Sequence, residues 1–205
     1  MSAIFLDRDG VICHNRADHV KHWSEFEFLP GVFDALRVLR ALDLPIFVVT
    51  NQAAINRGLC SAQTVEKIHQ RMVRTIQTQG GRVDAVYYCP HRPDENCDCR
   101  KPGAGMLLQA AQDFKIDLQK SYMIGDAITD IQAGQSVGCE TFLVLTGRGV
   151  DQLSQDAHKV ERPFEVLFDL QAAANRIRDF ERRENLAAVH KPFFFVPDGS
   201  AAALG

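Results

Sequence analysis

At 205 residues the chain is long enough for one domain with a full core and too short for two comfortable ones. Hydrophobic residues make up 46%, charged residues 24%, and the net charge is -3, which is ordinary globular composition and gives no electrostatic footing for nucleic acid or an acidic membrane surface. No apolar run approaches the roughly 20 residues of a membrane span, and the amino terminus enters a strand without the basic and apolar regions of a signal peptide, so a cytoplasmic protein is expected.

Ala3-Ile4-Phe5-Leu6 reads as a buried strand, and Asp7-Arg8-Asp9-Gly10 follows at once, two carboxylates two positions apart with a glycine to turn the chain. In an open parallel sheet the carboxyl ends of strands form the crevice where ligands bind. Such a pair can hold a divalent cation or divide labour between nucleophile and proton carrier. Residues 11 to 30 are irregular and overhang that end, so Asn15, Arg16, Asp18 and His19 are placed to touch a substrate. A helix is predicted from Val32 to Leu42, then a buried strand Pro45 to Val49 ending in Thr50-Asn51-Gln52, neutral donors suited to an anionic oxygen. Arg57-Gly58 lies on the same loop. Ser61 caps a helix running to about Gln79, and Val83 to Tyr88 supplies a third strand.

Six cysteines need a reason, and three of them, Cys89, Cys97 and Cys99, sit with His91 inside eleven residues. In a reducing compartment that clustering argues for metal, and three thiols with one imidazole match a closed tetrahedral, hence structural, zinc site. Arg100 and Lys101 follow directly, so zinc would pin two cations for anion binding. A helix Gly103 to Phe114 and a strand Ser121 to Ile124 come next, the strand ending in Gly125-Asp126-Ala127-Ile128-Thr129-Asp130. Asp126 and Asp130, one helical turn apart, can share a crevice. Helix 128 to 136, strand 140 to 145, a polar stretch, an edge strand Glu165 to Phe168 and a helix Leu170 to Phe180 complete the pattern. Residues 1–183 are expected to be one domain. The tail 184–205, with Phe193-Phe194-Phe195 and then Gly, Ser and Ala, is expected to be loosely ordered or to pack on a neighbour.

Strands alternating with helices predict an α/β fold, a three-layer doubly wound parallel sheet without a large cap domain and with a zinc-binding loop at 89–99. Asp7 with Asp9, Thr50 with Asn51, Arg100 with Lys101, and Asp126 with Asp130 then end separate strands or the loops beyond them. Acids that repel one another call for a divalent cation, and a cation, a lysine and neutral donors make a cradle for a phosphoryl group.

DRDG, the threonine after a buried strand, the lysine before a helix and GDxxxD together resemble the haloacid dehalogenase (HAD) superfamily of phosphatases, over about residues 3–149. Within it, the CPH…CDCRKP loop and the short chain look like the heptose bisphosphate phosphatase and histidinol phosphatase families. The resemblance implies a Mg2+-dependent phosphomonoesterase working through an aspartyl-phosphate, with a small phosphorylated sugar as partner, no nucleic acid or membrane, and a monomer as the expected state. It implies Asp7 as nucleophile, Asp9 as acid and base, and Thr50 and Lys101 on the phosphoryl oxygens. Arg100 would contact substrate, and Asp7, Asp9 (through its carbonyl) and Asp126 would bind Mg2+ with support from Asp130. Asn51 to Gly58 is similar to the matching segment of the heptose enzymes, whose Arg-Gly pair the histidinol enzymes lack, and an extra arginine suits a second phosphate. Removal of the 7-phosphate from heptose 1,7-bisphosphate is thus expected, with histidinol phosphate or another small sugar phosphate as the alternative. A zinc-stabilised module that binds a phosphorylated ligand without turnover is the non-enzymatic alternative. The chain departs from its relatives at Ala127, where Lys or Arg is frequent, at Ala53 in place of serine, and at His19 in place of tyrosine.

Overall fold

In the computed structural model, residues 1–160 and 162–189 are described, with side chains in the last helix as far as 183. Six strands form one parallel sheet: β1 (Ile4–Leu6), β2 (Ile46–Asn51), β3 (Ala85–Cys89), β4 (Tyr122–Gly125), β5 (Glu140–Val144) and β6 (Glu165–Leu167). Their spatial order is β3-β2-β1-β4-β5-β6. The chain therefore winds outward from β1 to one edge, returns to the centre, and winds to the other. β1 pairs with both β2 and β4, Leu6 lying opposite Val48 and Ile124, so the residues that follow all three strands emerge side by side.

Alternation along these short strands divides the core in two. Ile4, Leu6, Ile46 and Val48 face α1 (Val32–Arg40), α2 (Ala62–Thr78) and α6 (Leu170–Val189). Ala3, Phe5, Phe47, Val49 and Met123 face α3 (Gly105–Phe114) and α4 (Ile128–Ser136). Phe47, wholly buried, meets Phe5 at 5.4 Å and Phe114 at 4.8 Å between ring centres. Ser61 does cap α2, its Oγ accepting from the Thr64 amide at 3.1 Å.

The segment 11–30 is irregular as expected but firmly seated. Trp23 stacks on Phe26 at 5.0 Å, Phe26 meets Phe28 at 5.0 Å, and Phe28 meets Phe33 of α1 at 4.7 Å. Arg71 of α2 lies 4.7 Å over the Trp23 ring. Only the tip around residues 14–19 stands free of this aromatic ladder.

The structure differs most from expectation after β5. The polar stretch after β5 contains a helix, α5 (Gly149–Asp156), and the last helix continues from Phe180 to Val189, past the expected start of the tail at 184. The strand expected to end at Phe168 ends at Leu167, and Phe168 is exposed. The remainder of the tail, residues 190–205 with Phe193-Phe194-Phe195, lies outside the described residues. Among the described residues no helix is long and apolar enough to cross a membrane.

Candidate active site

A cavity of about 320 Å3 opens at the carboxyl ends of β1, β2 and β4. Asp7, Asp9, Thr50, Asn51, Arg57, Arg100, Lys101 and Asp130 line it, with Asn15, Arg16 and His19 from the overhanging tip. Asp18 and Gln52, expected to touch substrate, are not among the residues that line the cavity. Asp18 is drawn away by Arg16 at 3.1 Å and Lys21 at 2.6 Å. Gln52 is buried, and its amide donates to Asp9 Oδ2 at 3.0 Å and to Thr50 Oγ1 at 2.9 Å.

Lys101 Nζ is the hub. It lies 2.8 Å from Asp7 Oδ1, 2.6 Å from Asp130 Oδ1 and 2.7 Å from the Val49 carbonyl oxygen. Asn51 fixes the lysine's backbone, accepting from its amide and donating to its carbonyl, each at 3.1 Å. Burial alone would lower the ammonium's pKa, but Asp130 and Asp7 outweigh it and hold the group above its ordinary value.

Asp7, Asp126 and Asp130 each offer a carboxylate oxygen, and these atoms lie within 4.8 Å of one another. Burial pushes Asp7 up to about 6, against the pull of Lys101, and with Asp130 and Asp9 adding to the rise. Burial, then the charges of Asp7 and Asp130, push Asp126 up to about 7, Arg148 opposing. Asp126 Oδ1 is buried without a hydrogen-bond partner, whereas Oδ2 accepts from the Arg148 amide at 2.8 Å. Three crowded carboxylates and one orphaned oxygen are a donor set that fits a hard divalent cation such as magnesium. Glycine is required beside them. A Cβ at Gly10 (φ +84°) would fall 2.1 Å from Asp126 Oδ2, and one at Gly147 (φ +58°) 2.3 Å from the same atom.

Asp9 has a different setting. Burial opposes its ionisation, but the Arg8 guanidinium, 2.9 Å from both carboxylate oxygens, together with Gln52, holds it below the usual carboxylate value. Arg8 itself reaches His69 of α2, whose pKa burial and then the Arg8 charge push down to about 3.

The four sulfur and nitrogen donors converge outside this cavity. Sγ of Cys99 lies 3.2 Å from that of Cys89 and 3.5 Å from that of Cys97, and Cys89 and Cys97 are 3.6 Å apart. His91 Nδ1 lies 3.4 Å from Cys89 Sγ and 3.2 Å from Cys99 Sγ. A zinc tetrahedron with ~2.3 Å metal–sulfur bonds has edges of about 3.8 Å, so the set fits zinc with slight relaxation. Burial pushes the Cys89 and Cys99 thiols up, which is the cost a bound dication would remove. Arg100 donates to the His91 carbonyl at 3.0 Å, joining this loop to the cavity wall.

The HAD-hydrolase-like family model matches residues 98–173. A D-glycero-beta-D-manno-heptose-1,7-bisphosphate 7-phosphatase of Pseudomonas aeruginosa is 39% identical over 154 residues, 75% of this chain and 86% of that protein. The protein of the same name from Bordetella bronchiseptica is 38% identical over 177 residues, 86% of this chain and 98% of that one. The chain belongs to the heptose bisphosphate phosphatase family of HAD-like hydrolases. The crystal structure of the B. bronchiseptica heptose bisphosphate phosphatase, complexed with magnesium and phosphate, matches with a TM-score of 0.83 at 37% identity, covering 88% of this chain and 99% of that one. That of the Burkholderia thailandensis heptose bisphosphate phosphatase matches with a TM-score of 0.67 at 32% identity, covering 87% and 99%.

For a heptose bisphosphate phosphatase family member, three polar cavity residues escaped the sequence reading: Arg8, Thr129 and Arg148. Arg148 follows β5 and lies 3.6 Å from Asp126, so the wall beside Ala127 has a cation after all. The spacing of the Thr146-Gly147-Arg148-Gly149 turn, at yet another strand's carboxyl end, was the available signal.

Proposed function

We propose that the protein is a magnesium-dependent phosphomonoesterase that removes the 7-phosphate of D-glycero-β-D-manno-heptose 1,7-bisphosphate through an aspartyl-phosphate on Asp7. The observation that carries this reading is the Asp7–Lys101–Asp130 contact beside Asp126, on a chain whose relatives bear that enzyme's name. The β configuration is taken from those names. Magnesium, present with phosphate in the B. bronchiseptica structure, would be held by Asp7, Asp126 and the Asp9 carbonyl with Asp130 in support. When bound it supplies positive charge that screens the approach of one anion to another.

The residues divide the work. Asp7 attacks phosphorus in line with the departing sugar oxygen, forming one P–O bond as the other breaks. Lys101, already against Asp7, neutralises a phosphoryl oxygen, and Thr50 donates a hydroxyl hydrogen bond to another. Asp9, held ionised by Arg8 and Gln52 in the free protein, must take up a proton with the substrate before it can pass one to the sugar oxygen, and it then takes one from the water that hydrolyses the aspartyl-phosphate. Arg16, Arg57, Arg100 and Arg148 ring the mouth, so a substrate with a second dianion meets charge at both ends. The Cys89, His91, Cys97 and Cys99 set would hold structural zinc, which would fix Arg100 and Lys101.

Phosphate release with Mg2+ from heptose 1,7-bisphosphate, set against histidinol phosphate, tests the assignment. The heptose substrate is expected to be preferred by at least about tenfold in kcat/KM, the worth of one charged hydrogen bond. Equal or reversed preference would place the chain with the histidinol enzymes instead.

A further inference from the structure

Among the described residues Arg8 is the largest side chain withdrawn from solvent, and it stands between the two acids of the first motif. A guanidinium keeps its charge at any ordinary pH, so such burial demands partners. One of its nitrogens meets both Asp9 oxygens at 2.9 Å. Of the other two, Nη1 lies 3.0 Å from Nε2 of His69 and Nε is buried without a hydrogen-bond partner. An arginine nitrogen can only donate, so this ring nitrogen accepts and the histidine is neutral, with its proton on Nδ1. The Phe26 ring, 6.0 Å away, lies on the same guanidinium, and Gln52 holds Asp9 Oδ2 at 3.0 Å. His69 occupies the buried stripe of α2 with Val65, Ile68, Met72 and Ile76, where packing leaves it little freedom.

We propose that His69 is a positioning residue for the Asp9 carboxyl, acting through Arg8. This rests on the phosphatase reading, in which Asp9 protonates the departing sugar oxygen. Without an acceptor on α2, Nη1 of Arg8 is left buried and unpaired, and the guanidinium turns toward the oxygens within its reach and carries Asp9 with it. Proton transfer needs the heavy atoms within about 2.6–3.2 Å, so a small displacement of Asp9 is felt at once. Asp7 stands outside this chain of contacts, held by Lys101. The nucleophile and the phosphate cradle therefore stay in place, and the loss falls on leaving groups that need a proton.

The test compares kcat/KM for an alkyl monophosphate, such as a sugar phosphate, with that for p-nitrophenyl phosphate, whose leaving group departs as a stable anion. This constant reads the steps up to phosphoryl transfer, so the later work of Asp9 on water does not enter it. His69→Leu is expected to lower kcat/KM for the sugar phosphate about tenfold or more, part of the general-acid contribution, while that for the aryl phosphate changes less than about twofold. His69→Gln, whose amide oxygen can take the place of Nε2, is expected to restore the sugar phosphate rate to within about threefold. Should the leucine variant not fold, His69→Phe gives the same readout. Equal losses on both substrates, no loss on either, or no rescue by glutamine would overturn the proposal. A wild-type protein that turns over neither substrate with Mg2+ would overturn the phosphatase reading and this proposal with it, a result told apart because it needs no variant.

Discussion

The acid cluster and the thiol cluster are built in opposite ways. Asp7 comes from the end of β1, Asp126 from the end of β4 and Asp130 from α4, so the sheet brings together groups far apart in the chain and holds them against their mutual repulsion. Cys89 ends β3, and His91, Cys97 and Cys99 follow it on one short loop whose only regular element is the turn Pro93–Glu95. The sheet positions the first set whether or not an ion is present; the second has little but an ion to close it. Losing the cation should therefore abolish chemistry at one place and structure at the other.

The sharpest break in this contrast is Asp7→Asn. Loss of the nucleophile should lower kcat about 10³-fold or more while the unfolding temperature stays within a few degrees, read by phosphate release and thermal melting.

Asp126→Asn should go further and raise stability in chelator. Its carboxyl sits near 7 when folded against an ordinary 3.8, so between those values the unfolded chain gives up its proton more readily. Stability from this group is thus lost as pH rises from about 4 to about 7. The variant's advantage should be absent at pH 4 and reach on the order of a few kcal/mol at pH 8. Excess Mg2+ should shrink it. Melting curves across pH, with and without Mg2+, read both effects, and a variant less stable than wild type in chelator at pH 8 would refute the repulsion.

Cys97→Ala should act on structure first. Metal analysis should find about one zinc per wild-type chain and much less in the variant, with a loss of melting temperature on the order of 10 °C. Because Lys101 follows the loop, kcat/KM should also fall about 10- to 100-fold, as when a metal's supporting shell is disturbed. Full activity in a zinc-free sample would separate the two regions entirely.

Arg57→Ala touches neither cluster. It should raise KM for the bisphosphate about tenfold and leave that for a monophosphate within about twofold, the exposed arginine serving only the second dianion. The smallest effect is expected at Arg71→Ala, which removes the cation over Trp23 and should cost about 0.5–1 kcal/mol in a denaturant titration.

The acid cluster was readable because each carboxylate directly follows an apolar run, and the thiol cluster because its ligands are neighbours in sequence. What escaped had weaker local signatures. α5 carries Asp151, Gln152, Ser154, Gln155 and Asp156, too polar for an apolar stripe, and its buried residue is Gly149. The end of α6 reads as alternating charge, although Glu, Arg, Leu and Ala are good helix formers. Arg8 was passed over as a charge between acids, yet simple alternation puts it on the Ile4 and Leu6 face, beneath α2. His69 likewise falls in the helical stripe of Val65, Ile68 and Met72. Both signals were periodic, but a periodicity argument counts apolar residues and discounts the polar one that shares their face. Asp18 and Gln52 lie off the cavity wall for the converse reason: loop position makes a residue available, while its nearest opposite charge or amide partner decides where it goes.

The Asp126 carboxylate wedged between Gly10 and Gly147 joins two loops far apart in the sequence into one mutational unit. In a saturation library, a methyl group at either position should not be rescued by trimming residue 126, because both glycines keep a positive φ and a Cβ at Gly147 also falls 2.5 Å from the Gly10 Cα. Neutral drift is closed at all three sites together, so in selected libraries they should remain fixed long after the surrounding surface has diversified.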